Sequence, residues 1–115
     1  MGGQVEVILV LGRRVLVRGP SMSPALADGD VVVVTRGVPR PGDIVLVTWG
    51  SRPGQLSVKR AVRRAGDGWF VRSDNEFAVT AVDSRTLGPA TVHGVVRWRL
   101  WPRPGRLRRR RTEDR

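Results

Sequence analysis

Short valine-rich runs, each cut off by glycine or proline, leave this chain little choice of fold. The runs are Val5–Leu11, Val15–Arg18, Val31–Thr35, Ile44–Trp49, Leu56–Arg64, Trp69–Arg72 and Val92–Trp101. Between them fall turn clusters such as Ala27-Asp28-Gly29-Asp30, Pro39-Arg40-Pro41-Gly42-Asp43 and Ala65-Gly66-Asp67-Gly68. A side chain branched at Cβ suits a pleated strand, and turn residues recurring at this spacing predict a mainly β sheet or partial barrel. No stretch of helical period, internal repeat or second domain is visible. With 115 residues the chain has room for one core. The expected organisation is a compact domain over residues 1–102 and a disordered basic tail over 103–115.

That tail reads Arg-Pro-Gly-Arg-Leu-Arg-Arg-Arg-Arg-Thr-Glu-Asp-Arg and holds a disproportionate part of the +11 net charge. With almost no apolar content, it is expected to be solvated. The absence of cysteine excludes disulfides, thiolate zinc sites and a cysteine nucleophile, and His93 is the sole histidine. No metal or other cofactor is expected. The apolar run Val5–Leu11 contains Glu6 and is far short of the roughly 20 residues that span a bilayer. No basic segment precedes it and no small-residue cleavage site follows it, so it is not read as a signal peptide. The expected location is cytoplasmic, with peripheral contact to an anionic membrane through the tail.

Of the 21 basic residues only Lys59 is a lysine. Arginine keeps its proton, whereas a buried lysine can give it up. Ser21 stands in a Gly/Pro-bracketed turn after the strand-like run Val15–Arg18, where a serine can be exposed beside backbone N–H groups. Serine needs a base before it can attack. A Ser21, Asp83 and His93 triad has a familiar chain order. It lacks a G-x-S-x-G elbow, however, and the chain is too short for the hydrolase fold that uses that order. His93, inside the apolar-rich run Thr91–Val96, is read instead as a structural residue. Lys59 is the remaining base. In a strand, Lys59 and Arg60 project to opposite faces, so one can turn inward while the other stays solvated.

Four segments in order resemble the type I signal peptidases. Ser21-Met22-Ser23-Pro24-Ala25-Leu26 is similar to their nucleophile box, and Arg40-Pro41-Gly42-Asp43-Ile44-Val45 to the next strand entry. Val58-Lys59-Arg60-Ala61-Val62 is similar to the lysine box. Ser73-Asp74-Asn75 with Asp83-Ser84-Arg85 resembles the closing segment. The resemblance implies a Ser21 nucleophile, a Lys59 general base and an oxyanion hole that includes the Ser21 backbone N–H. It also implies that Asp83 and Arg85, with Asp74 and Asn75, support the site, and that Met22 packs beside the substrate strands. The chain departs from the pattern at Ser73, where glycine is usual, and at Gly19, where some members carry a serine donor. A serine that orients the lysine in some members would fall near Ala81, with Thr80 as a substitute.

The implied reaction is removal of a leader from a precursor protein by serine endopeptidase chemistry. The small, anchorless form is similar to the maturation proteases of nickel superoxide dismutase. The self-cleaving repressors of the SOS response share the chemistry but match the Asp83-Ser84-Arg85 segment less well. The rival expectations are a basic nucleic-acid or anionic-surface binder, using the arginines with Trp49, Trp69, Trp98 and Trp101, and a non-cleaving peptide binder on the same scaffold. No specific nucleic acid is expected as a partner.

Overall fold

The computed structural model describes residues 9–11, 13–75, 77 and 82–110. Eight strands and one short helix follow in the order β1 (Leu9–Leu11), β2 (Arg14–Leu16), β3 (Val31–Thr35), β4 (Ile44–Trp49), β5 (Arg52–Ala65), β6 (Gly68–Arg72), α1 (Ser84–Leu87), β7 (Thr91–Trp101) and β8 (Gly105–Arg106). They form one antiparallel sheet ordered β1-β2-β3-β7-β4-β5-β6, with β8 paired to β7. The expected mainly β domain is therefore what the chain builds. Residues 5–8 of the first apolar run lie outside the described residues.

Side-chain alternation along β4 explains how so small a sheet makes a core. Ile44 and Leu46 face one cluster, with Val15, Val17, Met22, Leu26, Val32, Val58 and Val96. Val45, Val47 and Trp49 face another, with Ala61, Trp69, Val71, Ala90 and Val95. The centre of the sheet is thus covered on both faces, which is why Ile44–Val47 of β4 read as a continuous apolar run rather than an alternating one. Trp49 and Trp69 belong to the core, whereas Trp98 and Trp101 are exposed.

The basic segment after Trp101 departs from expectation. Gly105–Arg106 form β8 against β7, and Leu107 packs on the first core cluster. The Leu107 N–H donates to the Arg97 carbonyl at 2.6 Å, and the Arg110 N–H donates to the Gly42 carbonyl at 3.0 Å. Arg109 pairs with buried Asp43 at 3.0 Å, and Arg110 with buried Asp74 at 3.1 Å. Residues 105–110 are therefore a docked arm. Two carboxylates from distant loops, before β4 and after β6, neutralise charges that a local count treats as solvated. Residues 111–115 of the expected tail lie outside the described residues.

Candidate active site

The loop from β2 to β3 carries Ser21. Its neck is closed by Val17 N–H to Asp30 O and Gly29 N–H to Val17 O, both at 2.8 Å. Within the loop, Asp28 accepts the Gly19 N–H at 3.0 Å and Asp30 accepts the Ala27 N–H at 2.9 Å. Gly19 has φ +87°, a conformation that a side chain at that corner would resist. The Ser23 N–H donates to the Pro20 carbonyl at 3.0 Å, which leaves Ser21 and Met22 at the centre of a tight turn. Met22 and Leu26 are fully buried in the first core and anchor that turn. Ser21 itself is only 2% exposed.

Lys59 lies in β5 opposite Val45 of β4 and is completely buried. Its Nζ donates to Ser73 Oγ at 3.0 Å. Arg60, expected to be solvated if Lys59 turns inward, is buried as well. Its guanidinium clasps Asp74 through two bonds of 3.1 and 2.6 Å and donates to the Gly42 carbonyl at 3.0 Å. Opposite faces do not mean one dry face here, because the sheet is covered on both sides.

Three consecutive residues after β6 each hold a different part of the site. Ser73 takes Lys59, Asp74 takes Arg60 and Arg110, and Asn75 takes the serine loop. The Asn75 N–H donates to the Ser21 carbonyl at 2.8 Å, and its Nδ2 donates to the Pro20 carbonyl at 3.0 Å. Asn75 Oδ1 accepts the Phe77 N–H at 3.0 Å, which fixes the amide's orientation. The segment is braced from behind by Asp83, which accepts the Ser73 N–H at 3.1 Å and caps α1 through the Arg85 N–H at 3.0 Å. Arg85 grips the same carboxylate with two side-chain bonds, and Ser84 Oγ accepts the Val71 N–H at 2.9 Å.

Burial pushes the Asp83 carboxyl pKa upward. The Arg85 side-chain bond, the N–H groups of Ser73 and Arg85, and the guanidinium charge outweigh that and hold it below the ordinary 3.8. Asp83 is thus fully committed to Arg85 and Ser73, while His93 shares a solvent-exposed 2.7 Å hydrogen bond with Thr48. The Ser21, Asp83 and His93 alternative is not assembled.

Of the residues singled out in the sequence, Asp74, Asn75, Asp83 and Arg85 gather on one segment that touches both the Ser21 loop and the Lys59 strand. Ala81 and Thr80 lie outside the described residues. What sequence reasoning missed is Ser73, noticed only as a departure from glycine. Among the described residues no group of histidine or acidic side chains could hold a metal ion, and no helix is long and apolar enough to cross a membrane.

An antiparallel β scaffold of this kind is consistent with the catalytic cores of the signal-peptidase and self-cleaving peptidase class. The chain belongs to the peptidase S24-like family, whose model matches residues 14–96. That span takes in the Ser21 loop, the Lys59 strand and the Asp83-Ser84-Arg85 segment. Family membership gives a peptidase class, serine or self-cleaving, and is coarser than the signal-peptidase resemblance of the motif boxes. No curated protein and no solved structure gives a significant match.

Proposed function

We propose that the protein is a serine endopeptidase with a Ser21/Lys59 dyad that removes a leader from a precursor protein. The observation that carries this reading is a completely buried lysine whose amine meets a hydroxyl, on a segment that also binds the backbone of Ser21. Withdrawal from water disfavours the ammonium and favours the neutral amine a general base requires. Neutral Lys59 takes the Ser21 proton as Ser21 attacks the scissile carbonyl, and the backbone N–H of Ser21 contributes to holding the oxyanion. Lys59 returns the proton to the leaving amine. It then activates the water that hydrolyses the acyl-enzyme, which restores both groups.

The signal-peptidase and maturation-protease character rests on the four motif segments in register. Met22 serves as an anchor beside the substrate strands, and Asp83 with Arg85 as a brace. The substrate class is a precursor with an N-terminal leader, met in the cytoplasm or at its membrane face.

The test compares protein N-termini across cells carrying wild type, Ser21→Ala and Lys59→Arg at matched levels of folded protein. The expected result is a mature N-terminus present with wild type and absent with both variants. A new terminus within this chain itself would assign self-cleavage instead of leader removal. Unchanged termini with folded variants would reject the peptidase reading in favour of a binding protein on this scaffold.

A further inference from the structure

The docked arm creates a feature that the proposed peptidase chemistry does not use. Between β7, β8 and residues 107–109 lies an open hollow of about 550 Å³, lined by Asp43, Arg97, Arg106, Leu107, Arg108 and Arg109. Four arginines from two segments of chain, Arg97 of β7 and residues 106–109, line this space with one carboxylate. Asp43 is already paired with Arg109 at 3.0 Å. Arg97, Arg106 and Arg108 have no carboxylate partner among the described residues. Arginine cannot relieve such crowding by losing a proton, so the like charges repel for as long as the fold holds them together.

We propose that this hollow is a binding site for a phosphate-bearing anion. Each guanidinium offers a planar fork of N–H donors that matches the oxygens of a phosphate. A phosphate or pyrophosphate group carries enough charge and oxygens to satisfy several forks at once, which a single carboxylate does not. Leu107 is the sole apolar residue of the lining and turns toward the core, so the site selects the charged group rather than a ring or a chain attached to it. The ligand also joins the arm to β7. Arg108 and Arg109 precede Arg110, whose guanidinium reaches Asp74, so an anion in the hollow tightens the fastening of that segment.

The probes are sodium pyrophosphate, followed by calorimetry at constant ionic strength, and vesicles of phosphatidylglycerol set against phosphatidylcholine. The variant is Arg97→Gln with Arg106→Gln, neither of which contacts the Ser21 and Lys59 site. Wild type is expected to bind pyrophosphate at one site, with affinity falling about tenfold or more in the variant. Without anion the variant should melt at the same temperature as wild type or higher, because repulsion has been removed; pyrophosphate should raise the melting temperature of wild type alone. Binding confined to the phosphatidylglycerol vesicles and lost in the variant supports the same site with a lipid headgroup as its source. Equal binding by wild type and variant, a response that chloride reproduces, or no binding to either probe overturns the proposal. None of these outcomes depends on peptidase activity.

Discussion

Lys59 and Arg60 are neighbours with different partners, and a single bulge decides which partner each receives. From the Ala65–Gly68 turn back to Arg63, β5 and β6 pair in one register. Between Arg63 and Ala61 it shifts, so that Ala61 meets Val71 and Arg60 meets Arg72. Counting back from the turn without the shift sets Asp74 against Lys59. With the shift, the next position along from Arg60 and Arg72 brings Ser73 to Lys59, and the carboxylate goes to Arg60. A carboxylate beside Lys59 would favour its charged form; a hydroxyl orients the amine without adding a charge. Ser73→Ala is therefore expected to lower kcat by about ten- to a hundredfold with little change in KM, and Ser73→Thr to restore it. Since Lys59 is the only lysine, selective 13C labelling gives a single Cε signal. Its two protons should be inequivalent in wild type and Ser73→Thr and merged in Ser73→Ala; inequivalence that survives in the alanine variant would remove Ser73 from this role. Asp83 yields a prediction about pH. Its folded pKa lies below 3.8, so its stabilisation is present above the unfolded value and is lost as pH falls from 3.8 through the folded value. Urea unfolding of Asp83→Asn should show lower stability than wild type at neutral pH and a shallower decline over that acid range. Ser21 and Lys59 could be singled out as candidates because the lysine is isolated in composition and both lie in motif segments that follow one another in order. Ser73 could not, because a one-residue bulge leaves no mark in composition or spacing.

The strands were largely legible, since valine runs and turn clusters state their own limits. The docked arm was not. Its attachment depends on Asp43 and Asp74, which are remote in sequence, and on a gap left by Gly42. That glycine has φ +93°, and a Cβ there would lie 2.2 Å from the Arg110 carbonyl oxygen and 2.8 Å from Arg109 Cγ. The Arg40–Asp43 turn thus bends the chain and leaves open the seat for the arm. Gly42→Ala should reduce unfolding free energy by about 2–4 kcal/mol, combining a strained φ with a backbone collision. In a chain ending at Leu107 the collision is gone, and the same substitution should cost only about 1–2 kcal/mol. Equal penalties in the two backgrounds would mean that the arm does not use this seat.

Across the molecule, sheet order and chain order disagree in one place. β7, late in the sequence, lies between β3 and β4 and bonds to both. In the sheet, the half that presents Ser21 and the half that contains Lys59 meet only through this strand. The arm that grips Asp74 follows it. A ribosome therefore releases both halves of the proposed dyad before it releases what unites them. At about 5–20 residues per second, residues 91–110 take roughly 1–4 s to make. During that interval the serine and the lysine lie in hairpins that lack their shared strand, with only core packing and the residues after β6 to join them. Assembly of the proposed dyad, on this topology, waits for residues 91–110, and a message truncated before residue 91 is expected to yield no partial enzyme.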